Sequence, residues 1–436
     1  MKSLFINLII IFAIAVSCRP KEKHVHQLAD GTDLRRATEE MAMVMLRDNT
    51  NPPLAARFFA YSFIAGYEVL RTTSDSMPNI FGITDTAQVN KAISNDAYVP
   101  ELAALFAIYI TAAQLQPSGK DLKNIVDEIR RKNIDRGITA EKIDAAVQYA
   151  SQQSKEVIDF ARKDGYTAAA RLRRYSPQTM AGAWFPTPPG YFGAVEPYFQ
   201  TLNPILVDSF VSANKLQPTP FDHRKGSSFY KAMMEIYTIS EHLSDEQKQV
   251  AAFWDNNPFA VQNDGHLVYG EKKVSPGAHW MSIAAQVCSN RGKSFRESLL
   301  TQAVLAATMF DAFIYCWKCK YGTNRIRPET AIRKYIDDEW SPYLQTPPFP
   351  EYVSGHSVVS AAAAEVLSHF LGDSLAFTDS TEMRSGVAPR AFASFRDAAK
   401  EAAESRLYGG IHFRDAVEDG YELGREIGNA VVTKLN

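Results

Sequence analysis

The stretch SFRESLLTQAVLAATMFDAFIYCWKCK (294–320) decides the class of fold. It is long and mostly apolar, which is the pattern of a helix buried on most sides. The same three-to-four spacing recurs outward from it. PPLAARFFAYSFIAGYEVLRT (52–72) opens on prolines and then runs apolar. TAEKIDAAVQYASQQSKEVIDFARKDG (139–165) starts at a capping box built on Thr139 with Glu141–Lys142 and stops at Gly165. SGHSVVSAAAAEVLSHFLGD (354–373), PRAFASFRDAAKEAAESRLYGG (389–410) and IHFRDAVEDGYELGREIGNAVVTKL (411–435) follow. VPELAALFAIYITAAQL (99–115) is the most apolar of the shorter segments, but it carries Glu101 and keeps helical periodicity, so a buried helix is expected rather than a membrane span. Alternating strand patterns are scarce. The expected fold is all-α, built of packed helical bundles.

With 436 residues, 46% apolar and 22% charged, the chain is large enough for two domains around a substantial core. A net charge of −2 and the lack of a long single-sign run argue against nucleic acid as a partner. The opening MKSLFINLIIIFAIAVSC (1–18) pairs one lysine with an apolar run too short to span a bilayer well, as in a secretory signal. Its ending, AVSC, resembles a bacterial lipobox, which marks Cys18 for lipidation; Arg19–His26 would then be a polar tether. The expected location is outside the cytoplasm, as a periplasmic or outer-membrane lipoprotein held to the membrane by lipid alone. Cys288, Cys316 and Cys319 remain. The C-x-x-C at 316–319 has neither a βαβ context nor further ligands at zinc spacing, so buried helical cysteines are expected, with a disulfide to Cys288 as the alternative.

Between 171 and 222 the texture changes to Pro, Gly and aromatics, too apolar for a disordered linker. It reads as an ordered loop packed over something, a lid or pocket wall. A soft boundary there separates an N-terminal helical region (19–205) from a C-terminal catalytic bundle (206–436).

Three segments of that bundle carry the unusual polar residues. KYGTNRIRPET holds Lys320 and Arg327-Pro328; PPFPEYVSGHS holds Ser354, Gly355 and His356; SRLYGGIHFRDAVEDG holds Arg406, His412 and Asp415. Lys320, Arg327 and Arg406 offer positive charge, the arginines with forked donors suited to an oxyanion. Ser354 and Gly355 stand at a helix N-terminus, where free N–H groups and the dipole favour anions. His356 and His412 can act as nucleophile, ligand or proton donor. Each piece alone is commonplace; their joint occurrence in this order points to an anion cradle.

K-x6-R-P, then S-G-H, then S-R-x5-H resembles the three-part signature of the type 2 phosphatidic acid phosphatase and vanadium-dependent haloperoxidase superfamily, over roughly 295–436. Trp317 and Phe349 resemble halide-flanking positions of the haloperoxidase branch, and the N-terminal part is similar to bacterial secreted members. The resemblance implies vanadate as cofactor with His412 as its protein ligand. Lys320, Arg327, Ser354, Gly355 and Arg406 would hold its oxygens, His356 would serve as acid–base and Lys320 would polarise peroxide. It implies hydrogen peroxide and halide as substrates. The chain departs from the pattern at Val353, where a proline is usual, and at Asp415, which follows His412 by three instead of four; on a helix both spacings share a face, so Asp415 is expected to orient His412. Asp255 is a loose candidate to pair with His356. The same residues would also serve an acid phosphatase that cleaves phosphomonoesters through a phosphohistidine on His412 and needs no cofactor. A non-catalytic phosphate-binding lipoprotein is the third reading. A homodimer is compatible with each.

Overall fold

The computed structural model describes residues 29–73, 77–83, 99–207, 212–263, 267–270 and 272–436. The expected signal segment, the Cys18 lipidation site and the tether lie outside the described residues. The fold is all-α. In chain order the helices are α1 Gly31–Arg47, α2 Pro52–Thr72, α3 Pro100–Leu115, α4 Lys120–Asp135, α5 Ala140–Ala161, the single turn α6 Tyr166–Ala169, α7 Ser228–Glu241, α8 Asp245–Phe253, α9 Pro276–Asn290, α10 Phe295–Thr323, α11 Pro328–Tyr335, α12 Gly355–Leu371, α13 Phe395–Tyr408 and α14 Arg414–Leu435. Among the described residues the only strands form two short antiparallel hairpins, β1 Val261–Asn263 with β2 Leu267–Tyr269 and β3 Phe377–Asp379 with β4 Arg390–Phe392.

The central element is α10. It is long and apolar enough to cross a membrane, yet 94% of that apolar window is buried inside the fold. A reciprocal capping box starts it, Ser294 Oγ accepting from Glu297 N while Glu297 accepts from Ser294 N. It ends at Asn324 in a left-handed conformation (φ +49°), which throws the chain into the Arg325–Arg327 turn. α2 packs along one side of α10 and α12 along another, and α2 is buried on nearly every face. One apolar cluster runs from Ala29 through α2, α3 and α10 to Val431 of α14, so the N-terminal and C-terminal regions share a core.

α12 and α14 approach unusually closely, and glycines are the cause. Gly420, Gly424 and Gly428 lie four apart on the face of α14 turned to α12. A Cβ on Gly424 would sit 2.2 Å from Val358 O, one on Gly428 2.9 Å from Ala362 O and one on Gly420 3.0 Å from Ser354 O. The glycine row of α14 therefore rides over the carbonyl row 354–358–362 of α12, and this seats the N-terminus of α12 beside the turn that carries His412.

Three expectations are corrected in detail. The helix expected from Thr139 does begin there, with Thr139 Oγ1 accepting from Lys142 N at 3.4 Å, but the reciprocal half of a capping box is missing, since a lysine at the third position has no acceptor. It ends at Ala161, before Gly165, which has φ +96° and opens α6. The 389–410 helix starts only at Phe395, because Arg390–Phe392 pair with β3 and Ser394 supplies the cap. The aromatic segment after 171 is the expected ordered loop. Trp184 is fully buried in it, Ala183 bridges to Arg325, and Trp184 N and Ile326 N exchange hydrogen bonds with Asn324 O and Gly182 O.

Candidate active site

The three polar segments meet. Arg327 is the N-cap of α11, Ser354 the N-cap of α12, Arg406 lies in the last turn of α13, and His412 lies in the turn before α14. A narrow cavity of about 40 Å³ opens among them, lined by Asp255, Asn256, Gly355, His356, Arg406 and His412 on its polar side and by Phe313, Trp317, Phe349 and Ile411 on its apolar side. Pro52 at the start of α2 completes the wall, so the N-terminal region contributes directly to the site.

Hydrogen-bond chemistry fixes the tautomer of His412. Arg327 Nη1 lies 3.1 Å from His412 Nε2. A guanidinium can only donate, so Nε2 must be the unprotonated nitrogen and Nδ1 carries the hydrogen. Nδ1 then donates to Glu351 Oε1 at 2.9 Å. Burial, then Arg327 and Lys320, push the imidazole well below its ordinary pKa, which keeps the Nε2 lone pair available. Glu351 is fully buried and also accepts from Phe413 N (2.9 Å) and from the Arg325 guanidinium.

Asp415, expected to orient His412, does not touch it. Its carboxylate accepts a forked pair from Arg325 at 2.6 and 2.7 Å, and also the N–H of Thr219 at 2.9 Å. Burial pushes Asp415 up, but the Arg325 fork more than offsets this and holds it at about 2. The physical reason is that α14 begins only at Arg414, so His412 is not on the helix and helical spacing does not relate the two. Glu351 takes the orienting place, and Arg325, clasped between the rings of Tyr352 and Phe413, links it to Asp415. Neither Glu351 nor Arg325 stood out in the sequence. The available signal was one acid inside an otherwise apolar, proline-rich stretch and one arginine two residues before another.

The cations are deeply buried. Arg327 donates from Nε to Phe349 O (2.9 Å) and from Nη1 to Ile411 O (2.9 Å), while Nη2 has no partner among the described residues. Arg406 donates to Ser405 Oγ and to the Trp254 carbonyl. Burial lowers both arginines to about 10. Lys320 departs from the expected direct contact with an oxyanion. Its Nζ donates to Pro350 O (3.0 Å), Glu351 O (3.0 Å) and Val353 O (2.6 Å), which uses all three hydrogens. Burial lowers it to about 7, and it acts on the cavity through its charge from behind Gly355, whose added Cβ would lie 3.9 Å from Lys320 Cε.

Ser354 Oγ accepts from Ser357 N at 3.2 Å and keeps its hydroxyl hydrogen to give. Gly355 and His356 supply the first N–H groups of α12, which have no carbonyl partner within the helix. His356 does not pair with Asp255. Its ring is hydrogen-bonded to the Trp254 carbonyl, and its Nε2 is buried with no partner among the described residues. Burial, then Arg406, drive its pKa well below the ordinary value. Asp255 instead lies in the field of Lys273 and Arg406, with burial raising its carboxyl. Trp317 and Phe349 line the cavity as expected, with ring centroids 5.0 Å apart. The aromatic loop braces this wall, since Val195 O accepts from Trp317 Nε1 (3.2 Å) and Tyr321 Oη (2.7 Å). Cys288, Cys316 and Cys319 are free and buried, and the described residues hold no cluster of metal-ligating side chains.

The chain superposes on a bacterial vanadium-dependent iodoperoxidase with a TM-score of 0.84 and 35% identity, over 93% of this chain and 97% of that one. The chain belongs to the vanadium-dependent haloperoxidase family. Residues 301–436, the part of this haloperoxidase that holds the cradle, match the family model of the VCPO second helical-bundle domain. A holo-type bacterial vanadium-dependent chloroperoxidase shares the fold at a TM-score of 0.64 and 18% identity, over 88% of this chain and 93% of that one. No curated protein sequence matches detectably.

Proposed function

We propose that the protein is a haloperoxidase that oxidises iodide with hydrogen peroxide at a vanadate held by His412. The observation that carries the reading is His412 itself: Glu351 and Arg327 together fix Nε2 as the unprotonated nitrogen of a cavity-lining ring, its lone pair held by a hydrogen bond from Arg327 Nη1 that a bound metal centre would replace. The rest of the cradle fits a tetrahedral oxyanion. The unpartnered Arg327 Nη2, the Arg406 fork, the Ser354 hydroxyl and the first N–H groups of α12 would hold the vanadate oxygens. Bound vanadate supplies Lewis acidity that activates peroxide without changing oxidation state.

The chain's own residues do the remainder. His356, neutral and with Nε2 free, accepts the proton that peroxide must lose on activation and returns it when water leaves. Lys320 adds positive charge behind Gly355, where negative charge develops. Trp317, Phe349 and Phe313 keep the halide side dry. The choice of iodide rests on the similarity over nearly the whole chain to the iodoperoxidase.

The test is a paired assay on one preparation with His412→Ala as control. One half supplies orthovanadate, peroxide and, in parallel, iodide, bromide or chloride. The other, free of vanadate, follows release of nitrophenol from its phosphate ester. Iodide oxidation that needs both vanadate and His412 is expected. Phosphate release with no halide oxidation would overturn the reading in favour of a phosphomonoesterase, and bromide or chloride turnover exceeding that of iodide would overturn the halide assignment.

A further inference from the structure

Asp255–Phe259 form part of the cavity wall, and behind this loop lies a polar network that the cradle does not use. His279, on α9, is completely buried. Its Nε2 is 2.6 Å from Asp379 Oδ2, and its ring stacks on Trp254 at 4.8 Å, 23° from parallel. Its Nδ1 lies 2.8 Å from Asn256 Nδ2, and the same Nδ2 donates to Glu382 Oε1 at 3.1 Å. Trp254 is also the residue whose carbonyl serves Arg406 and His356.

This arrangement fixes the amide of Asn256, a residue of the cavity wall. Asn256 lines the cavity, is 3% exposed and sits in the left-handed region at φ +45°. A carboxylate needs a donor, so Glu382 requires the NH2 of Asn256 on its side. The second amide hydrogen goes to His279 Nδ1, which must then be unprotonated, and the one ring hydrogen goes from Nε2 to Asp379. Both amide hydrogens are thereby taken, and Oδ1 is left buried with no partner among the described residues. An orphaned buried acceptor is costly and marks a place where a ligand hydrogen belongs.

The cavity wall also offers donors, Arg406 and the first N–H groups of α12, and the Arg327 guanidinium stands against His412. Donors suit an oxyanion. Hydrogen peroxide is different, because it carries two O–H groups that each need an acceptor. His356 Nε2 and Asn256 Oδ1 are buried acceptors of cavity-lining residues with no hydrogen-bond partner among the described residues, and the Asp255 carboxylate lines the same cavity. The cavity volume of about 40 Å³ admits a molecule of this size, a water needing about 10–15 Å³ on the same measure.

We propose that Asn256 is a peroxide-binding residue whose amide oxygen accepts one O–H of hydrogen peroxide while His356 Nε2 takes the other, and that the Asp379–His279 pair positions the amide for this. The proposal rests on the haloperoxidase reading. Two measurements test it. The first is the nitrogen NMR spectrum of His279 in the vanadate-free wild-type protein at pH 8.5, assigned with His279→Gln; an unprotonated Nδ1 and a protonated Nε2 are expected, and a protonated Nδ1 would turn the amide round and overturn the proposal. The second compares wild type with Asn256→Gly, which keeps the left-handed backbone accessible. KM for peroxide should rise on the order of tenfold, the loss of one buried hydrogen bond. KM for iodide and the vanadate Kd from calorimetry should stay within twofold. An unchanged peroxide KM, or a parallel rise in both KM values, would overturn the peroxide role. A wild-type protein that binds vanadate yet oxidises no halide would overturn the haloperoxidase reading along with it, whereas normal wild-type turnover with an unmoved peroxide KM in the variant overturns this proposal alone.

Discussion

Replacing Glu351 by glutamine should cost vanadate affinity without emptying the site of charge. The carboxylate serves two sets of donors, His412 Nδ1 and Phe413 N on Oε1 and the Arg325 guanidinium on Oε2. A glutamine amide must turn its NH2 toward one of these sets. If it faces Arg325, two donors collide beside a buried cation. If it faces His412, Nδ1 must become the acceptor and the ring hydrogen moves to Nε2, which then faces Arg327 Nη1 and offers no lone pair. Either outcome disturbs the ligand nitrogen. Partners that orient a ligating histidine typically change affinity by about 10- to 100-fold, or about 1.4–2.7 kcal/mol. Isothermal calorimetry with orthovanadate on wild type, Glu351→Gln and Asp415→Asn makes the comparison. Asp415 reaches His412 only through Arg325 and Glu351, so its variant should lose no more than about threefold, an order-of-magnitude figure for an indirect contact. The reasoning fails if Glu351→Gln binds within twofold of wild type, and it is reversed if Asp415→Asn proves the more damaging change.

Three further outcomes follow from the geometry. Lys320 is held at about 7 by burial, and a bound dianion would raise it again. At pH 8.5 the free lysine is mostly neutral, so anion binding should take up a proton; at pH 6 it is already charged and uptake should vanish. Sulfate titrated in buffers of different ionisation enthalpy reads this directly, since sulfate does not titrate in that range, and equal uptake at both pH values would refute it. Gly424→Ala places a Cβ 2.2 Å from Val358 O and must push α14 off α12, at a cost of about 1–3 kcal/mol or more in chemical denaturation; an unchanged midpoint would refute the close approach. Asp164→Asn removes the carboxylate paired at 2.6 Å with the buried Arg57, and leaving that guanidinium uncompensated should cost about 3–5 kcal/mol in the same assay.

The helical class was legible because its signal is local and long: α2, α10, α12 and α14 start and stop within a few residues of where their periodicity and punctuation put them. The cradle was legible as a set of residue types in order, which brought Arg327, Gly355, His356, Arg406 and His412 to one place. What was hidden was how they are held. Glu351 reaches His412 across 61 residues and Arg325 reaches Asp415 across 90, and no periodicity relates such pairs. Asp415 was misread by treating His412 as helical when it precedes the helix. Lys320 was read as a free cation because the backbone carbonyls that saturate it belong to a loop 30 residues on. The glycine row at 420, 424 and 428 is visible in the sequence at its four-residue spacing, but the carbonyl row it packs on lies some 66 residues earlier in the chain.

The site's electrostatics explain why these supports matter. Lys320, Arg327 and Arg406 are all lowered first by burial, and His356 and His412 are driven to neutrality by burial and then by those cations. A cavity arranged this way favours any tetrahedral oxyanion, so charge alone does not separate a vanadate enzyme from a phosphatase. Discrimination has to come from neutral chemistry: which histidine nitrogen bears a hydrogen, and where an acceptor waits for a peroxide O–H. In this chain both are set from outside the cradle, by Glu351 through Nδ1 of His412 and by Glu382 and His279 through the amide of Asn256. Glu351 stands three residues before the Ser-Gly-His and Glu382 on the turn after β3, and neither is one of the cradle residues that define the signature. The signature therefore provides the anion, and the residues around it decide what is done with it.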